Sequence, residues 1–162
     1  MERRQIAFCT YEGSDKAALD LHQLQSLLQD SAFWAQDRSI GDLEIAVANS
    51  HPVVGVWNGG QLIGFARTTS DGIYRATLWD VVVRAEYRGL GIGRELVEVL
   101  LRHPRLQRVE KVYLMTTYQQ DFYERLGFQR NPTTTMVLYA ASRSDGAQAA
   151  ANEAIATPYA AT

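Results

Sequence analysis

Glycines at 89, 91 and 93 close an apolar run and open onto an amphipathic stretch. Without a Cβ, such a turn lets backbone N–H groups converge. A helix start then adds orphan donors and the positive end of a dipole. Together they make a cradle for a phosphate-bearing group. Arg84, Arg88 and Arg94 surround the turn and supply local positive charge. Just upstream, Asp80 interrupts the apolar run Leu78-Trp79-Asp80-Val81-Val82-Val83. A carboxylate in such surroundings is expected to hold its proton above the usual range, which suits proton transfer. Two other readings of Asp80 stand beside this one: an exposed strand face, or a partner for an arginine such as Arg67 or Arg75.

Several chemistries are excluded by what the spacing lacks. A P-loop needs Gly-x4-Gly-Lys-Ser/Thr, and no such string occurs. A dinucleotide fingerprint starting at Gly89 needs glycine at 94, where Arg94 stands. Cys9 is the sole cysteine, so there is no intrachain disulfide and no multi-cysteine metal site. His22, His51 and His103 lack metal-ligand spacing, so no metal is expected. A net charge of -2 argues against a dedicated nucleic-acid binder. The 162 residues are 46% hydrophobic, yet no window approaches a membrane span and no apolar run follows the charged start. The expected location is cytoplasmic.

The length suits one domain. Residues 5–11 read as a strand, 16–29 as a helix capped by Ser14 or Asp15, and 31–38 as a turn or short helix. The alternation of Leu43, Ile45 and Val47 predicts a strand over 42–49. Residues 53–57 and 62–66 flank Asn58-Gly59-Gly60 as a hairpin. Another turn at 68–72 leads to a long strand over 73–83. A helix over 91–102 presents Ile92, Leu96, Val99 and Leu100 on one face and a Glu98–Arg102 pair on the other. Residues 109–115 form a strand, 119–126 a helix stopped by Gly127, and 134–140 a last strand. From Ser142 onward an Ala-rich stretch reads as a tail. The fold class is α/β, with a central, largely antiparallel mixed sheet flanked by helices.

The segment Arg88-x-x-Gly91-x-Gly93 after an apolar strand resembles the acyl-CoA signature of the GNAT superfamily of N-acetyltransferases. Phe122-Tyr123-Glu124-Arg125-Leu126-Gly127-Phe128 resembles that family's Phe-Tyr-x-x-x-Gly-Phe segment. Residues 62–68, 79–83 and 121–123, with Trp34-Ala35 and Arg38-Ser39, resemble the cyanobacterial and plant-plastid members, some acting on arylalkylamines and some on protein lysines. The resemblance implies a GNAT-like domain over 1–141, followed by the tail at 142–162, with splayed strands forming an acyl-CoA cleft.

It also implies acetyl-CoA as donor and direct transfer to a primary amine, without an acyl-enzyme. The pantetheine arm would lie along Val81, Val82 and Val83. The pyrophosphate would sit on Arg88, Gly89, Leu90, Gly91, Ile92, Gly93 and Arg94. Tyr123 matches the tyrosine that many members use to protonate the leaving thiolate, and Asp80 is the base candidate. Where many members carry asparagine before the last helix, this chain has Thr116 and Thr117, whose hydroxyls stand in for that contact. Trp34 and Trp79 are the preferred acceptor-pocket pair. The expected acceptor is a small amine such as an arylalkylamine or polyamine. A protein lysine or N-terminal amine, and a non-catalytic acyl-CoA-binding regulatory role, remain alternatives. A homodimer is left open.

Overall fold

The structure, a computed structural model, describes residues 6–139. They divide into two compact units between Tyr118 and Gln119. The first holds five strands: β1 (Ile6–Tyr11), β2 (Val53–Asn58), β3 (Gln61–Ser70), β4 (Arg75–Val83) and β5 (Lys111–Tyr113). Its helices are α1 (Leu21–Ser31), α2 (Ile40–Ala48) and α3 (Ile92–Arg102). The sheet order follows the chain, β1-β2-β3-β4-β5. The first three pairings are antiparallel and β4–β5 is parallel. The expected mixed, mainly antiparallel sheet is therefore present.

Residues 62–66 of β3 are all buried. A strand with both faces covered loses the period-two alternation, because helices lie against it. α1 packs on β3 and β4, and α3 packs on β2, β3 and β4. Leu24, Leu27 and Leu28 of α1 join Phe65, Leu62 and Val82 in one core cluster. Asp20 caps α1, its carboxylate accepting from the N–H groups of His22 and Gln23 at 3.0 and 3.1 Å. The cap thus lies later than the Ser14 or Asp15 of the sequence reading. Residues Gly13–Ala18 form a separate 3-10 turn.

Three expectations change. Residues 40–48 are helix, not strand. Leu43 and Val47 are buried four residues apart while Ile45 is exposed, so the helical spacing governs the burial. Ser39 caps that helix, its Oγ accepting from the Asp42 N–H at 3.1 Å. On α3 the buried set is Ile92, Leu96, Val97 and Leu100, with Val97 in the place given to Val99. β3 also runs on to Ser70, through part of the stretch read as a turn.

The second unit contains α4 (Gln120–Glu124). Gly127 follows at φ 94°, and the Phe128 N–H returns to the Tyr123 carbonyl at 3.1 Å, so the helix ends on the expected glycine. No strand forms over 134–139, and Ala140 and the 142–162 stretch lie outside the described residues. The last strand expected over 134–140 is thus absent from its described part. A strand exists only where a neighbour takes its backbone groups, which one segment's pattern does not reveal.

Phe65 is 1% exposed and sits in the core cluster below α1. Phe65→Ala is expected to lower the unfolding free energy by about 3–5 kcal/mol, read from the urea midpoint at unchanged slope.

Candidate functional site

The site is built on an irregularity in β4. Phe65 pairs with Val82, and Arg67 pairs with Trp79. Ala66 therefore faces two residues, Asp80 and Val81, which is a β-bulge. Asp80 has φ 53°, left-handed and unusual for a side-chain-bearing residue. β5 pairs with β4 only at Arg75, Ala76 and Thr77. Beyond Thr77, among the described residues, the edge of β4 away from β3 has no strand beside it. Residues 81–83 thus lie on an open edge that ends at the glycine turn. Val82 is buried in the core, and Val81 and Val83 are half-buried.

Asp80 is held by two arginines. Arg67 Nε donates to its Oδ2 at 2.6 Å, and Arg38 Nη1 lies 2.7 Å from the same oxygen. The Asp80 side chain is 5% exposed. Burial alone would push the carboxyl up, but the hydrogen bond from Arg38 and the charge of Arg67 outweigh it. Its pKa lies below the ordinary carboxylate value, not above it as expected from the apolar run. Arg67 also donates to Ser50 Oγ at 3.0 Å and lies over the Trp79 ring, 5.8 Å from its centroid. The Arg67 partnership was one of the readings open from sequence. Arg38 was missed as a partner, because 42 positions of chain separate it from Asp80 and no local pattern joins them.

At the turn, Gly89 and Gly91 have φ 77° and 82°, and Gly91 is the N-cap of α3. A Cβ at either would meet nothing within 4 Å. The glycines are required by left-handed backbone rather than by crowding within the chain. No side chain caps α3, and the first-turn N–H groups have no earlier helical carbonyl to bind. An acyl-CoA pyrophosphate fits that cradle. The three arginines do not form one patch. Arg84 pairs with Asp30 at 2.8 Å and donates to the Leu62 carbonyl. Arg88 donates to the Val83 and Ser31 carbonyls at 3.1 and 3.4 Å, and Arg94 pairs with Glu98 at 2.8 Å.

Trp34 stands on a 3-10 turn (Phe33–Ala35), about half-exposed, with its ring edge-on to Phe33 at 5.1 Å. Trp79 donates from Nε1 to Thr69 Oγ1 at 2.8 Å. Trp57 and Tyr87 are structural, bonded to the Tyr11 hydroxyl and to Asn58. Thr116 and Thr117 lie in the irregular chain after β5. In the second unit, Tyr123 packs edge-on to Phe122 and Phe128 at 4.9 and 5.7 Å. Burial pushes its phenol up to about 12. Among the described residues no group of three His, Cys, Asp or Glu could hold a metal ion, and no helix is long and apolar enough to cross a membrane.

The sequence model described as the acetyltransferase (GNAT) family matches residues 20–128, a span that includes the bulge, the glycine turn and Tyr123. The chain belongs to the GNAT acetyltransferase family. It is 38% identical over 128 residues to a Prochlorococcus marinus protein named "uncharacterized N-acetyltransferase ycf52-like", covering 76% of this chain and 70% of that protein. It is also 38% identical, over 74 residues, to the chloroplastic serotonin N-acetyltransferase 2 of Oryza sativa subsp. japonica. That match covers 45% of this chain and 37% of the rice protein. A crystal structure of a GNAT-family acetyltransferase from Xanthomonas campestris superposes with a TM-score of 0.70 at 28% identity, over 86% of this chain and 97% of that one. This GNAT protein is an acyl-CoA-dependent N-acetyltransferase, and its family uses acetyl-CoA as cosubstrate.

Two measurements test the geometry. Removing the Asp80 charge leaves two arginines around a buried polar group, so Asp80→Asn is expected to cost about 3 kcal/mol at neutral pH. The folded pKa is depressed, so this stabilisation is complete above the unfolded value of ~3.9 and is lost only as pH falls through the lower folded one. Urea midpoints of the two proteins should differ by a constant amount from pH 7 to about 5 and converge at lower pH. Gly91→Ala, forced into left-handed backbone, is expected to lose about 1–2 kcal/mol of stability and to bind CoA more weakly by calorimetry.

Proposed function

We propose that this enzyme acetylates a small primary monoamine of the arylalkylamine type, through one domain spanning residues 1–141. The open edge of β4, running from the Asp80 bulge into the glycine-capped start of α3, carries the proposal. It offers the strand edge over 81–83, which has no second strand beside it, for a pantetheine arm and the N–H groups of residues 89–94 for a pyrophosphate, with Arg88 and Arg94 beside them and Thr116 and Thr117 as further contacts. The half-exposed Phe33–Trp34 pair is the proposed aromatic wall for the acceptor, with Trp79 as the second ring. The partial likeness to the rice serotonin enzyme supports the same class. Two arginines on one carboxylate leave surplus positive charge near the bulge, which disfavours polyamines.

The amine must lose a proton, since a free alkylammonium has a pKa near ~10. Asp80, doubly bonded to arginines and held low, is a poor proton acceptor. Its role in this reading is positional: it fixes the bulge and, through Arg38, the chain after Trp34. The proton leaves through water. Tyr123 is the group that meets the departing sulfur. A phenol at about 12 stays protonated throughout the physiological range. Full transfer to a thiolate of pKa near ~8.5 is uphill by roughly 5 kcal/mol. Tyr123 therefore stabilises the thiolate chiefly as a hydrogen-bond donor while the sulfur leaves.

Acetyl-CoA consumption with arylalkylamines, polyamines and lysine peptides tests the reading. Arylalkylamines should be turned over fastest, and Tyr123→Phe should lower kcat about 100-fold with CoA affinity unchanged. Arg38→Gln and Asp80→Asn should raise KM for the amine while leaving the acid limb of the kcat–pH profile in place. Loss of that limb in Asp80→Asn would make Asp80 the base after all. Turnover confined to peptides would move the acceptor to protein lysines.

A further inference from the structure

At the opposite end of α3 from the glycine turn lies a groove of about 340 Å³, lined by Asn49, His51, Ser70, Asp71, Arg105 and Arg108 among others. Its walls come from the end of α2, the β3–β4 turn and the segment between α3 and β5. An eleven-residue helix separates it from the turn, roughly 16 Å of axis.

The charges around this groove do not balance locally. Lys16, which has no carboxylate within ion-pair distance among the described residues, is tethered by Nζ to the Ala48 carbonyl at 3.1 Å and to the Ser50 carbonyl. That ammonium stands 3.1 and 3.2 Å from the two ring nitrogens of His51. Glu12 is taken up by His103 at 3.0 Å and by Arg105 at 3.6 Å. Asp71 Oδ1 is occupied by the N–H groups of Ile73, Tyr74 and Arg75. Arg108 has no acidic partner among the described residues. Lys16, His51, Arg105 and Arg108 thus face two carboxylates that are already engaged. Burial, then the charge of Arg105, holds Lys16 below its ordinary value. Burial, then Lys16 and Arg105, does the same to His51. Repulsion of this kind is relieved by a bound anion.

We propose that this groove binds a phosphorylated small molecule, at a site separate from the acyl-CoA cradle, with Arg105 and Arg108 as its principal ligands and Lys16 and His51 behind them. Guanidinium forks match phosphate oxygens bidentately, and the volume falls within the range of small-ligand sites. Bound negative charge favours the protonated form of His51, so occupancy takes up a proton there.

Inorganic pyrophosphate is the probe, and the His51 ring resonance is the local reporter. Titration of the full-length chain at pH 6.5 should shift that resonance saturably toward its protonated position. The double variant Arg105→Gln, Arg108→Gln, altered at two exposed positions, should weaken pyrophosphate binding about tenfold or more while CoA binding is unchanged. A His51 resonance unmoved by tens of millimolar pyrophosphate would overturn the site, as would equal binding by the double variant. Citrate binding as tightly as pyrophosphate would overturn the assignment to phosphate. CoA affinity is read separately, so failure here is distinguishable from failure of the donor site.

Discussion

Arg38 and Arg67 reach the same oxygen of Asp80 from two different parts of the chain, and the backbone beneath that carboxylate is left-handed. A residue in that conformation persists only where its surroundings compel it. Here the compulsion is electrostatic: burial opposes the charge, and two guanidinium groups restore it. The constraint propagates along β4. The pairing with β5 ends at Thr77, and beyond it Asp80 and Val81 together oppose Ala66 on the other side of the strand. The proposed donor site uses the edge left open there, since a fully paired strand offers no free backbone.

The far end of the open edge is governed by conformation rather than charge. Gly89 and Gly91 hold left-handed angles that redirect the chain from β4 into α3. Arg84 and Arg88 spend their donors on carbonyls of Leu62, Val83 and Ser31, securing the turn to the sheet and to α1. Residues that look in sequence like a phosphate-binding cluster thus act first as structural ties. In the proposed donor site the backbone N–H groups and the helix dipole are the main attraction for a phosphate, with side-chain charge as an addition.

The same chemical types appear at the other end of α3 with the opposite balance. Near Asp80 two guanidinium groups share one buried carboxylate. Around His51 the two carboxylates are engaged, Glu12 by His103 and Arg105, while Lys16 and Arg108 have no carboxylate partner among the described residues. Uncompensated charge at a protein surface costs stability and is retained where a ligand or solvent offsets it. One helix therefore separates a cradle made of backbone from a groove made of side chains.

Much of this protein was legible in its residues taken in order. The glycine spacing after an apolar strand, the amphipathic stretch behind it and Gly127 after Phe122-Tyr123 each depend on neighbours within a few positions, and each appears as read. Local patterns fix local backbone, because turns, caps and helix faces are short-range physics. What failed did so for the opposite reason. Residues 42–49 alternate like a strand, but the packing of Leu43 and Val47 made them helix. Asp80 in an apolar run implied a high pKa, but Arg38 and Arg67, 42 and 13 positions away, set its charge. The groove is assembled from His51, Asp71, Arg105 and Arg108, which no short window of sequence contains together. Short-range pattern was enough to fix the glycine turn and the helix behind it; the charge on Asp80 and the groups around it came from tertiary contacts, because electrostatic energies depend on distances in space and not along the chain.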